Sequence, residues 1–143
     1  MQYSQDGKDF FVYIEKNEKV MTNLAKFCLD HNIVNGKISG IGAVKLTEIG
    51  VFDTENKKYI RKSFDDVLEL LSFEGNVTLK DGIPFVHTHI VLSNQEMQTI
   101  GGHLFETTIA AVGEFFIRKF EGTAYRKLND DVGLPCICLE KRS

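Results

Sequence analysis

The chain has 143 residues, 43% of them hydrophobic, 26% charged and 10% aromatic, with no run of eighteen apolar residues. That leaves room for one globular domain over residues 1–143 and excludes a membrane-spanning helix. Seventeen Lys and Arg against twenty Asp and Glu give a formal charge of -3, which is not the basic footprint of a stand-alone nucleic-acid binder.

A domain of this size buries enough surface to fold without disulfides or a structural metal. The three cysteines, Cys28, Cys136 and Cys138, are an odd set, and the start MQYSQDGKDF has no basic-then-apolar signal pattern, so a reducing cytoplasm is expected. Residues 10–14 are β-rich after the Gly7 turn signal and predict an opening strand. Val20, Leu24, Phe27, Cys28 and His31 then recur at spacings of three and four, which predicts a helix with Asn17 as N-cap and Asn35-Gly36 as its stop. Beyond Lys37 helical periodicity gives way to Ile, Val, Phe and Thr runs broken by Gly, Asn and Asp. Strands are expected over residues 38–52, 58–62, 67–79, 85–92, 100–105, 109–120 and 136–139, with residues 65–71 fitting a short helix equally well. Most connections are short, which favours antiparallel hairpins. The fold class is α+β, a largely antiparallel or mixed sheet with one main helix packed on it.

The informative stretch runs from Phe85-Val86-His87-Thr88-His89-Ile90 to Gly101-Gly102-His103. Strand alternation puts His87 and His89 on one face with β-carbons about 6.5–7 Å apart. If Ser93 pairs with Thr99 across a five-residue polar loop, His89 faces His103 and His87 lies diagonal to it. A one-residue slip, or a bulge at Gly101-Gly102, would break the cluster. Three neutral imidazoles make a site for Zn²⁺ with the fourth position open to water or substrate, and Ni²⁺, Fe²⁺ or Co²⁺ suits the same donors. Standing alone, His-x-His on a strand is more simply an exposed or hydrogen-bonded pair; the third histidine at hairpin register brings in the metal. His31, near the helix end, suits capping or core packing.

Glu74 is a candidate general base or an orienting partner for a metal-bound histidine, although spacing alone describes it equally well as an exposed carboxylate before a turn. Cys136 and Cys138 share a strand face without the second pair a metal site needs, and read as packing. Gly40-Ile41-Gly42-Ala43 lacks the third glycine of a dinucleotide fingerprint and reads as close backbone packing or a tight bend. Residues 57–62, Lys-Lys-Tyr-Ile-Arg-Lys, place four positive charges in six residues. They suit a phosphate-contacting strand, and more simply a solvated edge strand protected by its charge. Arg118-Lys119 and Arg126-Lys127 read as solvated pairs. With 11 Phe in a small domain, some aromatics are expected at a subunit interface.

Taken in order, Gly40-Ile41-Gly42-Ala43-Val44, Ile49-Gly50-Val51-Phe52-Asp53, the run from Leu68 through Phe73-Glu74-Gly75-Asn76, His87-Thr88-His89-Ile90-Val91-Leu92-Ser93 and Gly101-Gly102-His103-Leu104 resemble the PPC domain, the plant and prokaryote conserved domain. The resemblance covers nearly the whole chain. It implies an α+β domain with a largely antiparallel sheet that assembles as a homotrimer. It also implies a metal held by the histidines of His-x-His and Gly-Gly-His, here His87, His89 and His103, as in some stand-alone bacterial and archaeal members. Plant members carry an AT-hook that contacts DNA. No Arg-Gly-Arg-Pro core occurs here and the only prolines are Pro84 and Pro135, so a DNA-binding or nucleoid-associated role rests on analogy alone. The third expectation is a metal-dependent hydrolase or hydratase of a small substrate, with Glu74 as proton acceptor.

Overall fold

Period-two burial decides which way each strand faces. In the computed structural model, which describes residues 1–139, β1 (Gln2–Asp6) is exposed throughout, while β2 (Asp9–Ile14) buries Phe10, Val12 and Ile14 at alternate positions. Helix α1 (Val20–Asp30) follows and buries Val20, Leu24, Phe27 and Cys28, the predicted stripe. Then come β3 (Gly36–Asp53), β4 (Lys58–Phe64), β5 (Leu68–Lys80), β6 (Ile83–Ser93), β7 (Thr99–Lys119), β8 (Tyr125–Asn129) and β9 (Leu134–Cys138). Among the described residues no helix is long and apolar enough to cross a membrane.

The nine strands form one mixed sheet. β3 pairs with β5 and β7, and β6 pairs with β5 on one edge and β7 on the other, which closes β3, β5, β6 and β7 into a ring. All these pairs are antiparallel; the parallel pair is β5 with β8, at Leu79–Tyr125 and Lys80–Arg126. Helix α1 packs against β6 and β7, and its stripe joins Ile38, Phe73, Ile90, Leu104, Ile109 and Phe115 in one core. This is the α+β architecture expected, a largely antiparallel sheet with one main helix.

Several local expectations are corrected. Residues 65–71 are not helical: Leu68 and Leu70 are buried while Glu69 and Leu71 are exposed, so the leucines follow the strand period into β5. The segments at 100–105 and 109–120 are one long strand, β7, bent against β3 by register shifts between Gly42 and Ile49. Asn17 does not cap α1. Its backbone is left-handed at φ 70°, its N–H donates to the Ile109 carbonyl, and the N-cap is Lys19, which makes no side-chain capping bond. The cap comes instead from Glu106 of β7. Its carboxylate accepts from the backbone N–H of Met21 (2.8 Å) and Thr22 (3.2 Å) and from the Thr22 hydroxyl (2.7 Å). At the other end the helix stops at His31 and the left-handed Asn32, before Asn35-Gly36. His31 packs there among Phe27, Tyr3 and Phe10.

Candidate metal centre

Inside β6, Val86, Thr88 and Ile90 turn into the ring and are buried, so His87 and His89 turn out of it. Thr88, the residue between them, ties β6 to β5: its buried hydroxyl lies 3.0 Å from the Glu74 carbonyl and 3.2 Å from that of His89. The hairpin register runs Ser93–Thr99, Leu92–Ile100, Val91–Gly101, Ile90–Gly102 and His89–His103 without a shift. The glycine pair therefore holds no bulge against β6. It serves close approach instead: a Cβ at Gly101 would stand 2.6 Å from the Ile90 carbonyl oxygen, and one at Gly102 2.8 Å from that of Gly50. Past His103 strand β7 leaves β6 and continues along β3, pairing Leu104 with Ile49.

The three imidazoles converge. Ring centroids are 5.2 Å apart for His87 and His89, 5.1 Å for His87 and His103 and 5.6 Å for His89 and His103, and one nitrogen from each lies within 4.8 Å of the others. Around a tetrahedral ion with nitrogens at 2.0–2.1 Å, donor atoms stand about 3.3 Å apart, so modest ring movements complete the set. The donors are also of the right kind. His103 Nδ1 is buried with no hydrogen-bond partner, a cost a bound cation removes. Burial, with the charges of Arg126 and His89, pushes the His87 pKa down to about 4. Burial and the neighbouring His87 and His89 take His103 to about 4 as well, so both imidazoles are neutral at pH 7 with lone pairs to give.

An aromatic and cationic wall stands beside them. Tyr59 of β4 lies over His103 at 4.8 Å, Phe105 meets the same ring edge-on at 4.9 Å, and the Arg61 guanidinium sits 3.7 Å over Phe105. Gly50 is opposite both His103 and Arg61, and its missing Cβ leaves the space that Phe105 occupies. From β8, Arg126 reaches across β5, with Nε donating to Thr78 Oγ1, Nη1 to the Pro135 carbonyl and Nη2 to Asn76 Oδ1, each at 2.9 Å. Nη2 also stands 3.2 Å from His87 Nδ1, which must be the acceptor, since a guanidinium only donates. From the sequence Arg126 and Arg61 are solvated or edge cations, whereas the structure brings both beside the histidines. A basic dipeptide such as Arg126-Lys127 carries no signal of which strand it will pair with.

Glu74 is directly opposite His89 in the β5–β6 register, hence on the same face. Its carboxylate lies 3.1 Å from Lys37 Nζ, and it is not among the converging donor atoms. Cys28, Cys136 and Cys138 are all free thiols, and none joins the cluster.

No curated protein matches this sequence. Solved structures do. A Pyrococcus horikoshii plant- and prokaryote-conserved (PPC) protein is 35% identical with TM-score 0.88, the alignment covering 99% of this chain and 97% of that one. A metal-containing protein of Archaeoglobus fulgidus is 31% identical over 97% of this chain and 99% of its own, also with TM-score 0.88. A Bacteroides thetaiotaomicron protein named provisionally as a DNA binder is 27% identical, covers 96% of both chains and has TM-score 0.90. The family model of the Plants and Prokaryotes Conserved (PCC) domain matches residues 1–121. With that match over most of its length, and relatives of the same fold at up to 35% identity, the chain belongs to the Plants and Prokaryotes Conserved domain family, the PPC domain whose motifs it carries.

Proposed function

We propose that this protein binds one divalent metal ion per subunit through His87, His89 and His103, with Zn²⁺ the first choice and Ni²⁺, Fe²⁺ or Co²⁺ suited to the same donors. The observation that carries the reading is the convergence of three imidazoles, one of which, His103, keeps a buried nitrogen without a hydrogen-bond partner among the described residues. The A. fulgidus relative, named as metal-containing, supports it. The test is metal content by inductively coupled plasma mass spectrometry on protein purified without chelator, with a Zn²⁺ titration of wild type and His89→Ala. About one equivalent in wild type and none in the variant is expected; stoichiometric affinity retained by His89→Ala would overturn the assignment.

A bound ion supplies Lewis acidity and an open coordination position, which suits hydrolysis or hydration of a small molecule. In that reading Glu74, across from His89, is the proton acceptor, and Lys37 holds its carboxylate. Glu74→Gln then lowers turnover without lowering metal affinity. We extend the family's homotrimer to this chain. Ile41, Leu71 and Phe116 of β3, β5 and β7 are 54%, 49% and 60% exposed and line one groove, an apolar surface that a second copy covers. Light scattering at three times the 16.2 kDa of the chain is the expected result. The three free thiols support a reducing cytoplasm.

A second reading is DNA binding, favoured by the B. thetaiotaomicron relative's provisional name and the basic β4. Strand alternation splits that run, sending Lys58 and Lys62 to one face and Arg61 with Tyr59 to the histidine side, so it presents no continuous phosphate-binding row. A gel shift at about 50 mM salt that weakens steeply as salt rises would establish this reading, and no shift at micromolar protein would remove it.

A further inference from the structure

Beside the histidines is a cavity of about 280 Å³, and its charge is one-sided. Arg61, Lys80 and Arg126 line it together with His87 and His103, and among the described residues no carboxylate does. Arg61 has an exposed partner in Glu48 at 3.4 Å. Lys80 and Arg126 have no ion pair among the described residues. Arg126 is partly buried and its acceptors among the described residues are all neutral, so none of them compensates its desolvated positive charge. The rest of the lining includes Phe85, Leu134 and Pro135, so the cavity offers an apolar bed beneath a cationic rim.

Arg126 also has hydrogens to spare. A guanidinium has five. Four are directed at Thr78, Pro135, Asn76 and His87, which leaves one on Nη1 uncommitted among the described residues. If His87 ligates an ion through Nδ1, that lone pair is taken; if it ligates through Nε2, Nδ1 carries the proton. In both cases His87 stops accepting from Arg126, and a second hydrogen, on Nη2, is released toward the cavity. Metal uptake would thus create a vacancy for an acceptor at the spot where positive charge has just increased.

The geometry points to a binding site for a small organic oxyanion, a carboxylate or a phosphate on an apolar body, anchored by Arg126 and Lys80 beside the three-histidine centre. The inference rests on the metal reading for its coupling, since the anion binds more tightly once the ion is in place. The anion's apolar body lies against Phe85, Leu134 and Pro135. Substrates of the centre are accordingly small anions, and neutral molecules of the same shape are excluded.

The test titrates benzoate and phenylphosphate, as probes of the two headgroups, into Zn²⁺-loaded and metal-free protein by calorimetry, for wild type, Arg126→Met and Lys80→Met. Saturable one-to-one binding by loaded wild type is expected, weaker by roughly tenfold or more in Arg126→Met, as loss of a charge-assisted hydrogen bond implies, with Zn²⁺ stoichiometry unchanged. Lys80→Met removes no side-chain hydrogen bond among the described residues, so it keeps the inference testable if Arg126→Met fails to fold; several-fold weaker binding is expected. The stronger of the two probes identifies the headgroup. No binding of either probe to loaded wild type, or equal affinity in wild type and Lys80→Met together with every folded Arg126 variant, overturns the inference while leaving the metal site standing. If wild type takes up no Zn²⁺, the metal reading falls on its own, and the metal-free titration decides: Arg126-dependent binding there supports the anion site, and none overturns it.

Discussion

A β-carbon at position 75 has nowhere to go. Gly75 lies opposite Thr88, and an added Cβ would stand 2.5 Å from the His87 carbonyl oxygen and 2.9 Å from the Thr88 Cβ. Both obstacles belong to the segment that aims the two β6 histidines, and one is backbone, so relief means moving that strand. Gly75→Ala is therefore expected to cost about 1–3 kcal/mol in chemical denaturation, the usual range for overpacking, and to weaken Zn²⁺ binding in the same protein. Loss of stability with unchanged metal affinity would show that the histidines are aimed by something other than the β5–β6 approach. Cys28 makes the opposite kind of residue-scale prediction. Burial in the core pushes its thiol up to about 12, so no useful thiolate forms near neutral pH. In a variant carrying Cys136→Ser and Cys138→Ser, a disulfide reagent at pH 8 should leave the native protein unlabelled and label it once it is denatured.

At the scale of elements, helix α1 depends on a residue 85 positions away from its first turn. Glu106 supplies both the acceptor that a local cap would give and a negative charge at the positive end of the helix dipole. It also accepts from the Thr107 N–H at 2.9 Å, so its carboxylate is oriented from its own strand. Glu106→Ala is expected to destabilise the domain by about 1–2 kcal/mol, with Glu106→Gln losing less because the amide oxygen still accepts; equal stability of all three proteins in urea would refute tertiary capping. The sequence shows α1 through its stripe of Val20, Leu24, Phe27 and Cys28, but Asn17 looked like the cap because a non-local one leaves no local trace. The same division separates what could be read of the site. His87, His89 and His103 were legible because strand parity and one short hairpin relate them, both of which are local rules. Arg126 was not, because it arrives through β8, whose parallel pairing with β5 is set by tertiary packing. Nor was β1, whose QYSQD has no apolar alternation to announce it and which forms by pairing with β2.

For the whole molecule, the site joins two strands that already belong to the closed ring. His87 and His89 come from β6, and His103 comes from the point where β7 passes from β6 to β3. An ion holding all three therefore pins the ring where the β6–β7 pairing ends. Since the unfolded chain has no such preformed site, binding stabilises the native state by mass action, roughly 2.7 kcal/mol at a free ion concentration one hundred times the Kd. For a chain of this length that is a rise in Tm on the order of 5–10 °C. Wild type should show the rise on adding Zn²⁺ and lose it with a chelator, whereas His103→Ala should melt at one temperature in both. That variant also removes the orphaned buried nitrogen, so its metal-free form is not expected to pay the full cost of a core deletion. A chelator-reversible rise that persists in His103→Ala would place the ion elsewhere in the fold, and with it the chemistry the three histidines have been assigned.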